Sequence, residues 1–378
     1  MNAPAADRRW PARGLDPALL SSAIGLAIAG VAISGSARAF GDASAGPRPE
    51  GVGEALAHLG IGLVLMGMAA LIDYRRLARP AVVWGALAGI VLLLVAAPLA
   101  APEIKGTHRW IRFGGTTVQP SELAKPVLVL VVAAALARAG DAVRTWSGLA
   151  RPLAAGGIIV ALVLAGRDLG TPVLMGTVIL AMAYAAGARH RHLAALAAGA
   201  ALVFAPLVLF ESYRSARFAG WGAALRFPFG TLDGVHLQVR QSLAAIGSGG
   251  VWGKGFGMST QKAFFLPEAD NDFVFAIVGE ELGLIGALAV LAAFLVLAWR
   301  GFAAADRATE PFGRLVALGA TWSICAQALC HLAVATALLP PKGLPLPFLS
   351  TGGSSLVSSC VLVGLVLNVS LRGRRHAG

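Results

Sequence analysis

The sequence predicts an all-α protein that crosses a membrane about ten times. Of its 378 residues, 57% are hydrophobic and 13% are charged, whereas soluble domains carry about 25% charged residues. Apolar runs close to the ~20 residues that a helix needs to cross a bilayer recur along the chain. Because no soluble domain or repeat is recognisable, residues 1–378 are expected to form a single integral membrane domain. The predicted spans are 16–37, 55–73, 80–100, 121–138, 149–166, 171–188, 193–211, 273–298, 313–338 and 352–370.

The distribution of positive charge predicts the topology. In a soluble protein a net charge of +12 would point to nucleic acid. Here the basic residues cluster at the ends of apolar runs, where they set orientation and meet anionic membrane lipids. With a cytoplasmic N-terminus, short cytoplasmic stretches hold 17 of the 31 Lys and Arg residues. We therefore expect cytoplasmic tails at 1–15 and 371–378, and no nucleic-acid partner.

The first predicted span has two interpretations. Three arginines precede it, and Ala37-Arg38-Ala39 follows with the small-x-small form of a signal-peptidase site. A cleaved signal is therefore one alternative. A retained helix is favoured, because it gives an even number of spans with both termini inside.

Four outer connections are expected, at 101–120, Arg167-Asp168, 212–272 and 339–351. The large extracytoplasmic loop 212–272 joins the seventh and eighth spans. Loops of this length are usually functional or disordered. This one is rich in Trp and Phe, so we expect it to fold against the membrane or the helix bundle.

Asp272 is the leading candidate for a catalytic group. It stands at the entry of the eighth span, immediately before Phe273. A carboxylate there can simply complement the helix dipole, and Asp270 or Asn271 could equally supply the cap. Alternatively, desolvation at an apolar boundary makes a carboxylate a usable general base. The local residues leave both interpretations open.

Glu280 and Glu281 lie about two turns further along the same span. Acids inside a membrane are costly and usually face a cavity or a partner. Adjacent helical residues point about 100° apart, so at most one of the two needs to face the interior. The favoured interpretation is an ion pair with a basic residue on a neighbouring helix.

Polar residues also surround the start of the fourth span. Ser121 can cap this helix, and Glu122 and Lys125 have the (i, i+3) spacing of an ion pair. Upstream, Arg109-Trp110 stands where a Trp is ordinarily an aromatic-belt anchor. The functional alternative is a cationic, aromatic rim that binds a pyrophosphate and stacks on a sugar.

Prolines interrupt the chain before the last span. The segment 340–348 cannot be regular helix, and non-helical backbone at membrane depth is tolerated only inside protein or along a cavity. The span then opens with Gly352-Gly353-Ser354-Ser355. This is either a close-packed helix start or an anion-binding one, and Lys342 favours the second.

The glycine run 247–255 resembles a phosphate-binding loop only superficially. Ser248 stands five positions before Gly253, and Gly255 stands where Ser or Thr is required. We interpret the run as a tight, close-packed turn.

Taken in chain order, these motifs resemble one known family, and the match covers essentially the whole chain. Each motif is weak alone, but the set is specific. The chain is identified by this resemblance as a member of the SEDS proteins (shape, elongation, division and sporulation), which comprise FtsW-, RodA- and SpoVE-like proteins. The motifs are Arg109-Trp110-Ile111, Gln119-Pro120-Ser121-Glu122, Asp168-Leu169-Gly170-Thr171, Gln241 to Gly257, Leu266-Pro267-Glu268 with Asp272-Phe273, Gly279-Glu280-Glu281-Leu282-Gly283, and Pro345-Leu346-Pro347-Phe348 with Gly352-Gly353-Ser354-Ser355.

The resemblance implies the SEDS fold and an inverting peptidoglycan glycosyltransferase of the bacterial cytoplasmic (inner) membrane. The substrate would be lipid II, with undecaprenyl pyrophosphate as the leaving group. The family's essential acid falls on Asp272 and its outer tryptophan on Trp110. The other candidate substrate-binding residues are Arg109, Lys125, Lys342 and Ser354. The residues expected to support the site are Gln119, Ser121, Glu122, Asp168, Glu268 and Glu280.

The resemblance also implies partners. The family usually works with a class B penicillin-binding protein, a transpeptidase, and with other divisome or elongasome membrane proteins. No cofactor is certain, but a divalent cation, Mg²⁺ or Mn²⁺, held by Asp272 and Asp270 is an open expectation. Two rival functions are a lipid II flippase and a non-catalytic scaffold for a cell-wall transpeptidase. A flippase should concentrate charge at the midplane and on both faces, whereas the acids here cluster on the outer side.

The chain departs from the family's motifs in a few places. The usual LPEAHTDF has Asp270-Asn271 in place of His-Thr, and Thr351 replaces the Tyr of SYGGSS. His331 stands where Asn is common, and Ala337 stands where Gly is usual. Segments 103–106 and 259–262 look like a division-type (FtsW) member, whereas Pro345 looks like an elongation-type (RodA) member. The balance leans towards the division type.

Overall fold

Long apolar helices dominate the computed structural model, which describes residues 15–39, 50–100, 110–113, 116–166, 168–209, 212–226, 235–264, 266 and 269–373. A short hairpin of β1 (Ile111–Phe113) and β2 (Thr116–Val118) pairs antiparallel. The helices are α1 (Pro17–Ala39), α2 (Glu50–Leu71), α3 (Tyr74–Leu77), α4 (Pro80–Ala100), α5 (Pro120–Ala139), α6 (Trp146–Ala165), α7 (Gly170–Ala185), α8 (His190–Leu209), α9 (Ser212–Arg226), α10 (Val235–Gly249), α11 (Gln261–Phe264), α12 (Val274–Asp306), α13 (Pro311–Ala335) and α14 (Gly353–Arg372).

Each of the ten predicted spans coincides with one helix: α1, α2, α4 to α8 and α12 to α14. Among the described residues, nine helices are long and apolar enough to cross a membrane. The tenth, α7, has 16 residues. It is shorter than predicted because Gly187, with φ +94°, turns the chain directly after its last turn.

The last helix, α14, lies at the centre of the bundle. It packs against α1, α2, α5, α12 and α13. Small residues permit the close approach to α2, since a Cβ at Gly364 would lie 2.5 Å from the carbonyl oxygen of Met66. The central helix, α14, therefore begins just after the proline-rich segment 340–348.

Helices α1 and α12 run side by side and are joined near both ends by buried polar contacts. At one end, Arg300 Nη2 lies 2.5 Å from Asp16 Oδ2. At the other end, Ser36 Oγ donates to Glu281 Oε1 at 3.0 Å, and Lys262 pairs with the same carboxylate. The 19 positions between Glu281 and Arg300 correspond to about 29 Å of helix, close to the ~30 Å of a bilayer's hydrocarbon core. The first helix thus packs as part of the bundle, and its retention stays a prediction.

Connections predicted to be cytoplasmic meet at one end of the bundle. Arg75 Nε lies 2.6 Å from Glu310 Oε1. Arg138 donates to the carbonyl oxygen of Ala78 at 2.8 Å. Since these residues come from three separate connections, the structure agrees with their placement on one side of the membrane.

The long connection 212–272 folds against the bundle, as the sequence predicts, but it contains helices that the sequence did not predict. Helix α10 packs along α12, and Ser242 Oγ donates to the carbonyl oxygen of Ala335 at 2.7 Å. From α9, Trp221 Nε1 donates to the carbonyl oxygen of Ala337 at 2.7 Å. The polar and glycine-rich composition of 235–249 obscured a helix that is stabilised by this tertiary packing.

The glycine run forms the tight turn that was predicted, and it docks into a break in α12. Gly283, at φ +65°, interrupts the helix. The freed carbonyl oxygens of Glu280 and Glu281 accept from the amides of Lys254 and Gly255 at 2.9 and 3.0 Å. The amide of Leu284 in turn donates to the carbonyl oxygen of Gly250 at 2.9 Å. Backbone groups that a helix break would leave unsatisfied are thereby paired.

Candidate active site

The segment 336–352, here called the proline loop, is the element around which the candidate site is built. It is non-helical and mostly buried between helices, with Leu338, Leu339 and Gly343 exposed, as expected of irregular backbone that is packed inside protein. Gln327 Nε2 of α13 donates to the carbonyl oxygen of Pro345 at 2.7 Å, and His331 Nδ1 lies 2.9 Å from the carbonyl oxygen of Leu344. The side chain of Leu344 rests on Gly170, where a Cβ would lie 3.0 Å away.

The proline loop contains a strained turn. Phe348 has φ +68°, a conformation that is costly for a bulky residue. Ser350 Oγ accepts from the amide of Leu346 at 2.7 Å. On the other side, the backbone of Phe348 packs so tightly against Gly30 of α1 that a Cβ at Gly30 would overlap the Phe348 carbonyl oxygen. Packing against α1 therefore helps to impose this conformation.

Ala337, at the start of the proline loop, is a second non-glycine residue in the left-handed region, with φ +60°. It stands where the resembling family usually has glycine, which suits this conformation. The hydrogen bond from Trp221 to its carbonyl oxygen holds it in place.

Asp272 lies between the proline loop and the start of α12. The residue at the N-cap position of α12 is Phe273, whose side chain makes no capping hydrogen bond. The side chain of Asp272 is half-buried, and its Oδ1 accepts from Asn271 Nδ2 at 2.9 Å. Its Oδ2 faces Gly343, where a Cβ would lie 3.3 Å away. The carboxylate is therefore fixed on one side by an amide and borders the proline loop on the other.

The turn that carries Asp272 is joined to the end of the proline loop. The amide of Thr351 donates to the carbonyl oxygen of Asp270 at 3.2 Å, and Ser350 Oγ donates to that of Asn271 at 2.7 Å. The Thr351 hydroxyl also donates to Asp270 Oδ2 at 3.3 Å. The acid and the proline loop thus form one structural unit.

Lys125 and Glu122 form the predicted ion pair. Lys125 Nζ lies 2.5 Å from Glu122 Oε2 and 2.6 Å from Gln327 Oε1, and both charged side chains are buried. This is the structural alternative that the spacing offered for Glu122. The charge of Lys125 is already balanced by Glu122, which makes Lys125 less suited to bind pyrophosphate. That binding role stays a prediction.

The start of α5 differs from the prediction. Ser121 was expected to cap the helix, but the N-cap is Gln119 and Pro120 occupies the first helical position. Proline suits that position because its φ is already helical and it has no amide to satisfy. Ser121 Oγ instead accepts from Gln119 Nε2 at 2.9 Å.

The hairpin of β1 and β2 connects Trp110 to the central helix. Trp110 is half-buried and directly precedes β1. Ser354 Oγ accepts from the amide of Gln119 at 3.0 Å and lies 3.4 Å from the carbonyl oxygen of Thr117. The Ser354 hydroxyl therefore joins the starts of α5 and α14, and a direct contact between this hydroxyl and substrate stays a prediction.

Asp168 anchors the start of α7. Its Oδ1 accepts from the amide of Gly170 at 3.0 Å, and its Oδ2 accepts from Thr171 Oγ1 at 2.8 Å. A carboxylate at a helix N-terminus stabilises the helix through the unpaired amides of the first turn. Asp168 supports the site by fixing the helix on which Leu344 packs.

Glu280 and Glu281 are both buried and both paired, whereas the sequence required only one of them to face the interior. The predicted ion pair with a neighbouring helix is confirmed for Glu281, because Lys262 lies on α11, but Lys254, the partner of Glu280, lies in the glycine-run turn. Glu280 accepts from Lys254 Nζ at 2.6 Å and from Thr260 Oγ1 at 3.0 Å, and Glu281 pairs with Lys262. The break at Gly283 and the returning chain 250–262 bring cations to both sides of α12.

Lys342 is half-buried and immediately precedes Gly343, the neighbour of Asp272. Among the predicted pyrophosphate-binding cations, Lys342 is therefore the one that adjoins, in sequence, a residue packed against Asp272. Two predicted site residues, Arg109 and Glu268, lie outside the described residues.

Sequence reasoning missed Gln327, Gly343 and Gly30. A glutamine within an apolar span is a detectable signal, because an unpaired amide inside a membrane is costly. The two glycines carry no such signal, since only the fold shows what stands against them.

Comparison with known proteins places this geometry in a family. The model of the FtsW/RodA/SpoVE family, described as "Cell cycle protein", matches residues 21–375. The chain belongs to this family.

Relatives in the FtsW/RodA/SpoVE family are similar over most of this chain. A "Probable peptidoglycan glycosyltransferase FtsW" of Geobacter metallireducens is 41% identical over 315 residues, which are 82% of this chain and 82% of the relative. A protein of the same name from Alcanivorax borkumensis is 36% identical over 374 residues, 94% of this chain and 92% of the relative.

Two solved structures share the FtsW/RodA/SpoVE fold. One is described as "Structural coordination of polymerization and crosslinking by a peptidoglycan synthase complex". A chain in it matches with a TM-score of 0.76 and 27% identity, over 96% of this chain and 99% of that one. The Rod shape determining protein RodA of Thermus thermophilus matches with a TM-score of 0.68 and 27% identity, over 94% and 97% of the two chains. The expected SEDS fold is confirmed.

Proposed function

We propose that this protein is a peptidoglycan glycosyltransferase that polymerises lipid II into glycan strands. Its family and the names of its relatives support the activity. The observation that carries the assignment to a site is Asp272, a half-buried carboxylate held by Asn271 and walled by Gly343 at the mouth of the helix bundle.

In the proposed reaction, the GlcNAc 4-hydroxyl of one lipid II attacks the anomeric carbon of the glycan chain held on the other lipid. The new C–O bond forms as the bond to the pyrophosphate oxygen breaks. Asp272 orients the hydroxyl and accepts its proton. The configuration changes from an α-pyrophosphate to a β-1,4 linkage, so one in-line displacement suffices and no covalent glycosyl-enzyme forms.

The leaving undecaprenyl pyrophosphate needs positive charge around it. Lys342 is the strongest described candidate, because it adjoins Gly343, whereas the charge of Lys125 is balanced by Glu122. Arg109 and Trp110 would form the rim beside them. The structure describes Trp110, whereas Arg109 lies outside the described residues.

A divalent cation, Mg²⁺ or Mn²⁺, is the proposed cofactor. Within the described ranges, no group of three or more acidic, His or Cys side chains could hold a metal. Asp270 and Asp272 fit an ion that is bound by one or two carboxylates and completed by substrate phosphates and water. Such an ion would neutralise charge on the pyrophosphate when bound.

The protein is a multi-pass membrane protein, and we place it in the bacterial cytoplasmic membrane with both termini in the cytoplasm. The positive-inside rule supports this orientation. Asp272 then faces the outer side, where lipid II is consumed. A class B penicillin-binding protein is the proposed transpeptidase partner, and the peptidoglycan synthase complex among the structural matches supports it. Other divisome proteins and membrane lipids are further proposed contacts.

A role in division is favoured over elongation, since the curated relatives cited above are named FtsW. Depletion of the protein in its own host is the direct measurement. Filamentous cells are expected, and round cells would instead assign it to elongation.

The proposed function is tested with purified protein and labelled lipid II. Wild type should form glycan strands, and Asp272→Ala and Asp272→Asn should not. The control is Asp141→Asn, an exposed acid in the turn between α5 and α6, which should behave as wild type. Strand formation by Asp272→Ala would remove Asp272 from the mechanism.

The two rivals give different results in matched assays. A flippase would move lipid II across vesicles without making strands. A non-catalytic scaffold would support normal growth of a strain that carries only Asp272→Ala. Both predictions contrast with the loss of strands and of growth expected here.

A further inference from the structure

Asp270 and Asn271, which precede Asp272, are hydrogen-bonded to the end of the proline loop. Asn271 is also hydrogen-bonded to the Asp272 carboxylate. Thr351 contacts Asp270 through its amide and its hydroxyl, at 3.2 and 3.3 Å. Ser350 Oγ donates to the carbonyl oxygen of Asn271 at 2.7 Å. The side chain of Asn271 then donates to Asp272 Oδ1 at 2.9 Å.

The direction of the last hydrogen bond follows from chemistry. An ionised carboxylate can only accept hydrogen bonds, so the Asn271 amide must present its NH₂ group to Asp272. This donor restricts rotation of the carboxylate and leaves Oδ2 on the side of Gly343. A Cβ at position 343 would lie 3.3 Å from that oxygen, so glycine there leaves more space beside the carboxylate than any other residue would.

Three of the departures from the family's motifs coincide in this connection. Asp270 and Asn271 replace His-Thr, and Thr351 replaces Tyr. Although Thr351 is about 80 positions away in sequence, its hydroxyl donates to the side chain of Asp270. The substituted residues therefore form one contact set, which the sequence alone could not show.

We propose that Asn271 is a positioning residue that orients the Asp272 carboxylate for proton transfer, and that the Asp270–Thr351 pair holds Asn271 in place. This inference rests on the proposed function of Asp272. It makes Asp270 the acceptor of the Thr351 hydroxyl.

A purely structural role would lower stability or substrate binding, whereas a positioning role acts on the chemical step. The test therefore measures kcat and KM for lipid II separately, together with thermal unfolding in detergent. Asn271→Ala removes the donor. We expect kcat to fall roughly tenfold or more, a part of the ~10²–10⁴-fold that a positioned base contributes, with KM changed less than about twofold.

Thr351→Val retains the shape of the side chain and removes its hydroxyl, so Asp270 loses a donor. We expect a smaller fall in kcat. Asp270→Asn retains an acceptor oxygen for the Thr351 hydroxyl, so at saturating divalent cation its kcat should fall less than that of Asp270→Ala. The double variant Asn271→Ala/Thr351→Val should be no slower than Asn271→Ala, since both act through one path, whereas independent effects would multiply.

Two further variants keep the test decisive. If Asn271→Ala does not fold, Asn271→Leu retains the size of the side chain without its amide donor and should show the same selective loss of kcat. Asp141→Asn serves as the unaffected control. An unchanged kcat in folded Asn271→Ala and Asn271→Leu, with Asp272→Ala inactive, would overturn the positioning role and leave the proposed function standing. Activity in Asp272→Ala would instead overturn the proposed function.

Discussion

The carbonyl oxygen of Phe348 occupies the space that a side chain on Gly30 would need. This contact holds the strained turn of the proline loop, which in turn carries Ser350 and Thr351 to the residues around Asp272. A glycine on the first helix thus helps to shape a site whose acid is more than 240 positions away in sequence.

Gly30→Ala is therefore expected to impair the enzyme. Overpacking of this kind costs about 1–3 kcal/mol, and the displaced turn should lower polymerisation more than tenfold. Gly25→Ala is the matched control, because nothing lies within 4 Å of a Cβ at Gly25 on the same helix. Thermal unfolding and strand formation are the measurements. Equal behaviour of the two variants would contradict the tight contact.

The buried Glu122–Lys125 pair predicts a characteristic pattern of stability. Removing one charge, as in Lys125→Met, leaves the other buried and unpaired, which costs roughly 3–5 kcal/mol. The double variant Glu122→Gln/Lys125→Met should recover most of that loss. Thermal unfolding of both variants gives the comparison. If Lys125 instead binds pyrophosphate, the double variant will be stable yet have a much higher KM for lipid II.

Much of this architecture could be predicted from local pattern. Hydropathy located a helix at each of the ten predicted spans, nine of them long enough to cross a membrane, and (i, i+3) spacing indicated the Glu122–Lys125 pair. The bond from Lys125 to Gln327 joins residues 202 positions apart, and no local pattern encodes it. The cap assigned to Ser121 was wrong because Pro120 begins the helix one residue earlier. The ion pairs of Glu280 and Glu281 were predicted, but the burial of both residues was not, because it depends on the break at Gly283 and its contacts with the glycine run.

The docking of the glycine run predicts unequal responses to alanine within α10. A Cβ at Gly249 would overlap the carbonyl oxygen of Gly279, whereas nothing lies within 4 Å of a Cβ at Gly247. Gly249→Ala should destabilise the protein by about 1–3 kcal/mol. Gly247→Ala should be neutral or slightly stabilising, because alanine favours a helix. If thermal unfolding showed Gly247→Ala to be less stable than Gly249→Ala, this packing would be contradicted.

Removal of divalent cations tests the proposed metal. Chelation with EDTA should reduce strand formation, and Mn²⁺ or Mg²⁺ should restore it. If Asp270 contributes a ligand, Asp270→Asn should require a higher cation concentration for half-maximal activity and reach a similar maximum. A cation requirement unchanged by this substitution would leave Asp270 as the acceptor for Thr351 alone.

The two buried polar contacts between α1 and α12, Asp16–Arg300 and Ser36–Glu281, indicate how far Asp272 lies from the hydrocarbon core. Taking Glu281 and Arg300 as the two hydrocarbon boundaries, the seven positions from Glu281 to the start of α12 raise Asp272 about 10 Å beyond the outer one. The headgroup layer is only about 5–8 Å deep on each side. In the proposed orientation and reaction, the acid would stand level with the first sugars of a lipid-linked substrate, and the pyrophosphate would stay among the headgroups below it. The polyprenyl tail can remain in the bilayer throughout a round of polymerisation.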